Sequence, residues 1–476
     1  MCRLRHIQPL ILLGGLLLCG ACSGVGLHSG TGFSLSSAEA PLQQVGVYVY
    51  VNGSPPEVRA ALQYLHAVEI YDDGAGVWLP LQRPAPDERA HPKGQGFVAG
   101  GYLSPGEYSR LRLHGGSEAA PQIHELASGI DRLDAGERTC VFLWGENPAQ
   151  AQGSSAWTWQ VETQRTPISG DQLALLSADG TEVQILRSDN LHTSAVLGLH
   201  ERWHAWLLRP DEGVWGLGAA SMTLRDRETW RVQDRLGLPL VQEAVDFACV
   251  EPQPFGAGGT NSATFYITDT GANRVVSISR DGGSQQVYAT GYAPGQIEVH
   301  HYTAPNGQQK ALVFIAAEDG LYLLEPQSGS IRKPSGSWRT SDIVAADIRV
   351  YVALQHLNEV RSYTLPNFDS SGRFVVSAEV QELLVLRNHV VVACATPGGG
   401  ELLWLSLRDM TRMGQMPLPF AIADMRYSPV TQNIYLLSQD GERLLQVDSV
   451  GRRIIAQVDL PRGARELLLI ERRGAY

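Results

Sequence analysis

Four acidic residues are the best candidates in this chain for a catalytic metal site. Each lies in or next to an apolar segment that looks like the inner strand of a repeat, and the four are Asp246, Glu298, Asp347 and Asp424. If these strands line one central channel, the carboxylates converge there, and oxygen ligands suit hard divalent cations. The pattern would fit a metal-dependent hydrolase or lyase at the channel mouth. The favoured alternative is that inner strands carry polar side chains because channel water solvates them.

Other kinds of active site find less support. His300 and His301 are the only adjacent histidine pair and could bind a metal or act as a base, but no third ligand follows at a suitable spacing. The sequence contains no GxSxG or Walker motif, and the glycines at 256–259 lack the lysine and helix that would bind phosphate. We therefore expect no cofactor and favour a non-enzymatic protein, with the channel carboxylates as the alternative.

Composition limits the fold and the partners. The chain has 476 residues, which favours two domains, and its 50 glycines and 26 prolines favour many short strands over long helices. The formal net charge of −11 would repel phosphate backbones, so we expect no nucleic-acid partner. Both features are typical of an all-β protein that does not bind DNA or RNA.

The N-terminus has the features of an export signal. Arg3 and Arg5 precede an apolar run at 11–18, which is too short to span a bilayer. The small residues before Cys22 resemble a bacterial lipoprotein signal, in which that cysteine receives a diacylglyceryl group, although Cys19 stands where the pattern prefers leucine. Ser23, directly after the cysteine, resembles the pattern of lipoproteins that are sorted to the outer membrane. We expect a signal peptide over 1–21, a lipid anchor at Cys22 and a flexible tether over 22–41, with plain secretion as the alternative.

The remaining cysteines do not form a recognisable framework. The chain has six cysteines, and cleavage and lipidation at Cys22 would leave Cys140, Cys249 and Cys394 far apart in sequence. Three cysteines cannot all pair with one another, and none has CxxC spacing, so a disulfide framework or zinc cluster is not expected. Cys249 and Cys394 lie in apolar segments, which favours small buried side chains over reactive thiols.

Residues 42–148 are expected to form a small sandwich. Strand-like segments alternate with turns, including LSPGEYSRLRL at 103–113 and AGERTCVFLW at 135–144. This series resembles small extracellular domains described as carbohydrate-binding-like or prealbumin-like, which often follow a lipoprotein signal. Sugar binding is an alternative function that the resemblance leaves open. Four aromatic residues could stack on sugar rings: Trp78, Tyr102, Tyr108 and Trp144. For each of them a role in the core of the domain is favoured.

A repeat occupies residues 169–476, after a linker predicted at 149–168. Seven apolar segments look like the second strands of successive units: 173–176, 205–208, 265–268, 313–316, 350–353, 391–394 and 434–437. Their spacing scatters around the period of β-propeller blades. The segment 195–199 looks like a first strand, and 464–472 looks like a first strand with no unit after it. Residues 464–472 should therefore close the ring by supplying the inner strand of blade one, and seven blades are favoured over six or eight.

One unit carries a recognisable turn. Its sequence FYITDTGANRVVSI at 265–278 resembles the NHL type of propeller repeat, in which an Asp and an Asn-Arg pair brace the turn between strands. Asp269, Asn273 and Arg274 match those positions. The other units keep only the apolar pattern.

Together these features favour an all-β chain, a small β-sandwich followed by a seven-bladed propeller, with a non-enzymatic role. We expect an outer-membrane lipoprotein that faces the periplasm or the cell surface. One propeller face would bind a protein, either an envelope component or a host molecule. Long loops at 209–220 and 251–263 are the expected contact points.

Overall fold

The computed structural model describes residues 43–84, 94–116, 121–126, 133–146, 157–164, 170–252, 262–304, 307–334, 339–354, 357–460 and 463–471. The predicted signal peptide at 1–21, the lipidation site Cys22 and the tether at 22–41 lie outside these residues. In the described part of the chain, no helix has both the length and the apolar character needed to cross a membrane.

The first domain is a sandwich of two four-stranded sheets. In chain order its elements are β1 (Val45–Asn52), α1 (Pro55–Tyr64), β2 (Leu65–Asp72), β3 (Val77–Leu81), β4 (Gln95–Leu103), β5 (Tyr108–Gly115), β6 (Gln122–Glu125), β7 (Arg138–Glu146) and β8 (Thr158–Thr163). One sheet has the order β4-β1-β7-β8, with β1 parallel to β7, and the other has the order β3-β2-β5-β6. Alternate residues of the two sheets, such as Val47, Val49, Ile70 and Leu111, fill the space between them.

The predicted linker at 149–168 is wrong in part. Residues 158–163 form β8, which pairs antiparallel with β7 at the edge of the first sheet. Trp157 and Trp159 stack with ring centroids 5.2 Å apart and are buried in the sandwich core. Burial of two indole rings stabilises this segment against the sheet, so the chain cannot serve there as a free connection.

The second domain consists of seven four-stranded antiparallel sheets. In chain order its strands are β9 (Gln172–Ser177), β10 (Glu182–Arg187), β11 (Thr193–Gly198), β12 (Ala205–Arg209), β13 (Gly213–Leu217), β14 (Ser221–Arg225), β15 (Val232–Gly237), β16 (Ala244–Val250), β17 (Thr264–Asp269), β18 (Arg274–Ser279), β19 (Gln285–Ala289), β20 (Pro294–Thr303), β21 (Gln309–Ala317), β22 (Gly320–Glu325), β23 (Ser330–Arg332), β24 (Thr340–Ala346), β25 (Arg349–Leu354), β26 (Glu359–Thr364), β27 (Asp369–Val375), β28 (Glu379–Val385), β29 (His389–Thr396), β30 (Gly399–Ser406), β31 (Arg412–Leu418), β32 (Ile422–Ser428), β33 (Asn433–Ser438), β34 (Arg443–Asp448), β35 (Arg453–Asp459) and β36 (Ala464–Ile470). A short 3₁₀ turn, Thr270–Ala272, joins β17 to β18. This topology confirms the predicted all-β fold, a β-sandwich followed by a seven-bladed propeller.

The ring is closed by its last strand. β36 pairs antiparallel with β9, so that blade one has the order β11-β10-β9-β36. Leu467 lies opposite Leu175 in this pairing, and both side chains are buried between neighbouring blades. Blades two to seven are formed by β12–β15, β16–β19, β20–β23, β24–β27, β28–β31 and β32–β35.

Two strand assignments near the closure are wrong. The segment 205–208 lies in β12, the first strand of blade two, and the segment 195–199 overlaps β11, the last strand of blade one. Because β36 supplies the inner strand of blade one, β9, β10 and β11 are the second, third and fourth strands of that blade. The next strand in sequence, β12, therefore begins blade two. The predicted loop at 209–220 is also wrong in part, because β13 lies within it and buries Trp215. The segment 251–263 falls largely outside the described residues.

The strand order defines two faces of the ring. Within each blade the chain alternates direction, so loops that join first to second and third to fourth strands share one face, called here the lower face. The upper face carries the loops that join second to third strands and successive blades.

The sandwich packs against the outer strands of blade one. Tyr48, Tyr50 and Phe142 project from its first sheet and contact Val196 of β11. The second sheet, β3-β2-β5-β6, lies on the far side of the sandwich from this contact, and its outer surface faces away from the propeller.

Candidate functional site

A bulge near the start of the inner strand recurs around the channel. Register shifts occur in β16, β20, β24, β28, β32 and β36, which are the inner strands of six of the seven blades. A bulge turns one side chain out of the normal alternation of the strand. In β16, β24 and β32 that part of the strand carries Asp246, Asp342 and Asp424.

These aspartates join neighbouring blades. Asp246 Oδ2 accepts the main-chain N–H of Ile297 at 3.1 Å, which connects blade three to blade four. Asp342 Oδ2 accepts the N–H of Leu383 at 2.5 Å, between blades five and six. Asp424 forms the matching bond across the closure, from blade seven to β36. A carboxylate that accepts main-chain N–H groups is fixed in a structural role by charge-assisted hydrogen bonds.

An amide performs the same task between blades six and seven. Gln381 Oε1 accepts the N–H of Ile422 at 2.8 Å, and both residues are buried. Gln296 Nε2 donates to Asp342 Oδ1 at 2.7 Å and so links blade four to blade five. Sequence reasoning missed Asp342, Gln296 and Gln381. Their shared position, three residues into each inner strand, is the signal that could have found them.

Asp347, in contrast, lies outside the channel. It occupies the tight turn between β24 and β25, where φ is +49°, and its side chain is exposed on the lower face. Asp342, five residues earlier, takes the place in the channel that the sequence pattern had assigned to Asp347. The four predicted acidic residues are therefore not brought to one point. Among the described residues, no group of three or more His, Cys, Asp or Glu side chains is arranged to hold a metal.

Glu298 is a channel carboxyl whose pKa is shifted by its surroundings. Its side chain is partly reached by solvent, yet protein surrounds it on all sides, as expected in a narrow channel. Burial raises the pKa of Glu298 well above its ordinary value, and the charges of Asp342 and Asp246 raise it further. Arg426 opposes this shift. Glu298 therefore retains its proton to a higher pH than an ordinary glutamate, and could donate a hydrogen bond to a ligand in the channel.

Arg426 places a positive charge beside the channel carboxylates. Its Nη1 lies 2.6 Å from Asp424 Oδ1 and 3.6 Å from Glu382 Oε1, and its Nε donates to the carbonyl oxygen of Leu467. One guanidinium thus joins the inner strands of blades six, seven and one. Arg426 was not predicted from the sequence, because its role depends on strands that the closure brings together.

The turn residues Asp269, Asn273 and Arg274 lie together on the upper face. Asp269 is fully buried, and its two oxygens accept the N–H of Glu243 at 2.9 Å and Arg274 Nε at 2.9 Å. Asn273 adopts the left-handed conformation with φ of +50°, which asparagine tolerates better than most residues. Arg274 also donates to the carbonyl oxygen of Leu240. The group braces two loops and leaves little polar capacity for a ligand.

The histidine pair does not form a shared site. His300 and His301 are consecutive in β20, so their side chains project to opposite faces of the sheet. His300 Nε2 donates to the main-chain oxygen of Asp347 at 2.6 Å. Burial, with the nearby charge of His300, lowers the pKa of His301 and favours its neutral form.

The aromatic residues considered for sugar stacking have different surroundings. Tyr108 is fully buried and donates to the carbonyl oxygen of Ser104, and Tyr102 donates to Glu182 at the domain contact. Trp144 lies at the end of β7 and is 37% exposed. Trp78 alone lies on the outer surface of the second sheet, where the guanidinium of Arg112 stacks on its ring at 3.8 Å.

A buried ion pair fixes the sandwich to the propeller. Arg138 Nε of β7 lies 2.5 Å from Glu182 Oε1 of β10, and both side chains are almost completely buried. The hydroxyls of Tyr48 and Tyr102 donate to the same oxygen at 3.1 and 2.9 Å. Gln95 and Thr193 form a second polar contact between the domains, with the N–H of Thr193 donating to Gln95 Oε1 at 2.6 Å. No sequence signal pointed to this contact.

Comparisons with known proteins yield structural likeness only. No family model and no curated protein matches the chain. A protein of unknown function from Desulfotomaculum acetoxidans is 10% identical, with 64% of this chain and 99% of that one covered and a TM-score of 0.49. The WD40 domain of Neurospora crassa Pan2 is 12% identical, with coverages of 57% and 84% and a TM-score of 0.42. The dihydro-heme d1 dehydrogenase NirN is 11% identical, with coverages of 64% and 76% and a TM-score of 0.47. The assignment to a propeller rests on the strand topology of this chain itself.

Proposed function

We propose that this chain is a non-catalytic binding and scaffold protein of the bacterial cell envelope. The observation that carries the proposal is the use of the channel carboxylates. Asp246, Asp342 and Asp424 lie where a propeller could assemble a metal site, and each instead accepts a main-chain N–H of the next blade. These bonds between neighbouring blades provide rigidity, and the rims of the propeller are then the surfaces left for function.

The upper face is the surface proposed for a protein partner. Leu240, Tyr292 and Leu357 project from loops of this face and are each more than 40% exposed. Tyr292 is the most exposed aromatic side chain among the described residues of the propeller. An exposed tyrosine supplies large contact area with little loss of conformational entropy, which is why tyrosine is enriched in interfaces.

Site-specific photo-crosslinking in intact cells tests the protein partner. A photoreactive phenylalanine at Tyr292 or Leu240 should give one discrete adduct, while the same probe at Trp144 should not. Trp144 is a matched control because it is an exposed aromatic side chain at the end of β7 in the sandwich. Tyr292→Asp should abolish the adduct formed at Leu240. Equal adducts from all three positions, or none, would remove the support for an upper-face interface.

The enzyme alternative is tested by metal analysis of the purified chain. A stoichiometric divalent ion that disappears in Glu298→Gln would favour a hydrolase or lyase in the channel and would contradict the scaffold proposal. We expect no bound ion, because one oxygen of each of the three aspartates already accepts a main-chain N–H.

We propose that a lipid on Cys22 anchors the protein to the outer membrane. Support comes from the sequence pattern of small residues before that cysteine. Radiolabelled palmitate supplied to growing cells should enter the wild-type protein and be absent from Cys22→Ser. Incorporation in both would contradict the anchor at this residue.

The sandwich offers a second candidate function, carbohydrate binding on its outward sheet. Tyr71 and Trp78 lie side by side on this surface, with ring centroids 5.1 Å apart, and Arg110 and Arg112 stack on them. Aromatic rings with flanking polar groups can bind sugar rings. A glycan-array signal that is lost in Trp78→Ala and kept in Trp144→Ala would support this function.

A further inference from the structure

The outer strand of blade three, β19, is more regular than the outer strands of the other blades. Register shifts interrupt the pairing of five outer strands, β11, β15, β27, β31 and β35. The outer strand of blade four, β23, has only three residues. β19 instead pairs with β18 over five consecutive residues without a shift. Because bulges and short length keep other chains from pairing with a sheet edge, β19 lacks two of the usual protections.

Charge protects the other outer strands as well. β15, β23, β27, β31 and β35 each contain at least one arginine or aspartate, and β11 is covered by the sandwich. Charged side chains and proline on an edge oppose the addition of another strand. β19 has the sequence QQVYA, which contains neither. Among the seven described outer strands, β19 is thus the one edge that no bulge, charge, cover or shortness protects.

The main-chain groups that β19 presents outward follow from its pairing with β18. The N–H of Thr290 donates to the carbonyl oxygen of Asn273, and the carbonyl oxygen of Ser284 accepts the N–H of Ser279. Even-numbered residues of this segment therefore direct their main chain toward β18, and the alternate residues direct theirs away from the sheet. Those alternate residues are Gln285, Val287 and Ala289. Their outward groups have no hydrogen-bond partner in the described part of the chain, since β19 ends its sheet.

The edge is held in place by its own side chains. Tyr288 is buried in the cluster between blades three and four, and its hydroxyl donates to Gln286 Oε1 at 2.6 Å. Val287 points to the other side of the strand and is 47% exposed, and Ala289 is also exposed. A strand that is already fixed loses little conformational entropy when another strand pairs with it. β19 is therefore a preformed edge with an exposed apolar side chain at its centre.

We propose that β19 pairs antiparallel with β19 of a second copy of this chain, so that the two third blades form one continuous sheet. Two-fold symmetry places Val287 opposite Val287 of the second copy, and Gln285 opposite Ala289. In this register the outward N–H and C=O groups of all three residues pair across the axis. The two valines at the centre form an apolar cross-strand contact.

A second copy fits this edge because each chain supplies the same unprotected strand. Self-pairing brings no charged side chain of β19 against another, since the strand has none. Every other described outer strand would meet it with a bulge, a charge, a cover or too few residues. The contact lies on the outer rim of the propeller, so it is independent of a lipid at Cys22 and of the proposed upper-face partner.

Sedimentation equilibrium of the unlipidated chain tests the proposal. The full chain with Cys22→Ser should dimerise at concentrations up to about 200 µM, since one strand pair is a small interface. Val287→Pro removes an outward N–H and no bond to β18, as tolerated at a sheet edge. It should weaken dimerisation at least roughly tenfold, because both hydrogen bonds at the centre of the axis are lost. Val287→Thr keeps the N–H and is the matched control, which should still dimerise.

A pair of charged variants tests the register itself. Val287→Lys and Val287→Glu should each be monomeric, because like charges would face each other across the axis. An equimolar mixture of the two should form a heterodimer, because opposite charges then meet at the same position. A wild-type chain that stays monomeric, a dimer that persists in Val287→Pro, or a mixture that behaves like its separate components would overturn the proposal.

Discussion

Asp424 Oδ2 accepts the main-chain N–H of Leu467 at 2.6 Å, and this bond fastens the closing strand of the propeller to the blade that precedes it in the ring. Asp424 is completely buried, and its other oxygen lies 2.6 Å from Arg426 Nη1. The closure therefore combines strand pairing inside blade one with a charged contact between blades.

Replacement of Asp424 should destabilise the ring. Asp424→Ala leaves the N–H of Leu467 without its acceptor and Arg426 without its nearest carboxylate, and should lower the free energy of unfolding by about 3 kcal/mol. Urea titration followed by tryptophan fluorescence measures this change. Glu442→Ala, at an exposed turn on the upper face of the same blade, is the control and should change stability by less than about 0.5 kcal/mol. Similar effects of the two variants would contradict the structural role of Asp424.

The buried ion pair between the domains should contribute more to stability than the partly exposed ion pair on the outward sheet of the sandwich. Arg138→Met leaves the buried Glu182 carboxylate without its cation and should cost about 3–5 kcal/mol. Arg112→Met removes a comparable pair with Glu69, whose side chains are each about one quarter exposed, and should cost about 1 kcal/mol or less. Calorimetry should also show the sandwich and propeller unfolding separately in Arg138→Met. Equal costs for the two variants would show that Glu182 does not join the domains.

Glu298 should reduce stability at neutral pH. An unfolded glutamate ionises near pH 4.5, whereas the folded channel raises the pKa of Glu298 well above that value. Between these two pKa values the unfolded chain releases a proton that the folded chain retains, so the free energy of unfolding falls as pH rises through this window. Glu298→Gln should therefore match the wild type below pH 4.5 and be more stable at pH 8.

Glu57 should show the opposite pH dependence of stability, because its pKa is lowered in the folded chain. Hydrogen bonding to Ser54 at the start of α1 lowers the pKa of Glu57, so its contribution to stability is present above pH 4.5 and is lost as pH falls. Glu57→Gln should thus be slightly less stable than the wild type at neutral pH. Unfolding midpoints measured from pH 4 to pH 8 for the two variants should diverge in opposite directions. A constant difference across this range for Glu298→Gln would contradict the raised pKa.

The cysteines of the propeller should resist thiol reagents in the folded protein. Burial raises the pKa of Cys249 and of Cys394 to about 12. At pH 8 only roughly one in ten thousand such thiols is ionised, whereas a free cysteine is partly ionised. Native Cys22→Ser protein should therefore react slowly with a disulfide reagent and release its full thiol count after denaturation. Rapid native labelling at Cys249 would identify that residue as a reactive thiol.

The number of blades followed from the sequence because each blade repeats the same apolar strands and turns. The strand β8 was missed although Trp157, Trp159 and Val161 alternate with polar residues as strand residues do. The side-chain contacts of the channel were harder to predict. Whether an aspartate faces water or the next blade depends on a bulge in the strand. Asp342 contacts the next blade, whereas Asp347, five residues later, lies in an exposed turn. The contact between Arg138 and Glu182 depends on how two domains meet, which leaves no periodic signal in either.

Closure by β36 also sets the order of events during folding. The earliest strand of the propeller, β9, takes its inner partner from residues 464–470, so blade one is completed by the last propeller strand in the sequence. Until that strand pairs, blade one has an open edge and Asp424 of blade seven lacks the N–H of Leu467. An unclosed propeller therefore exposes strand edges, and closure is the step that removes this route to aggregation.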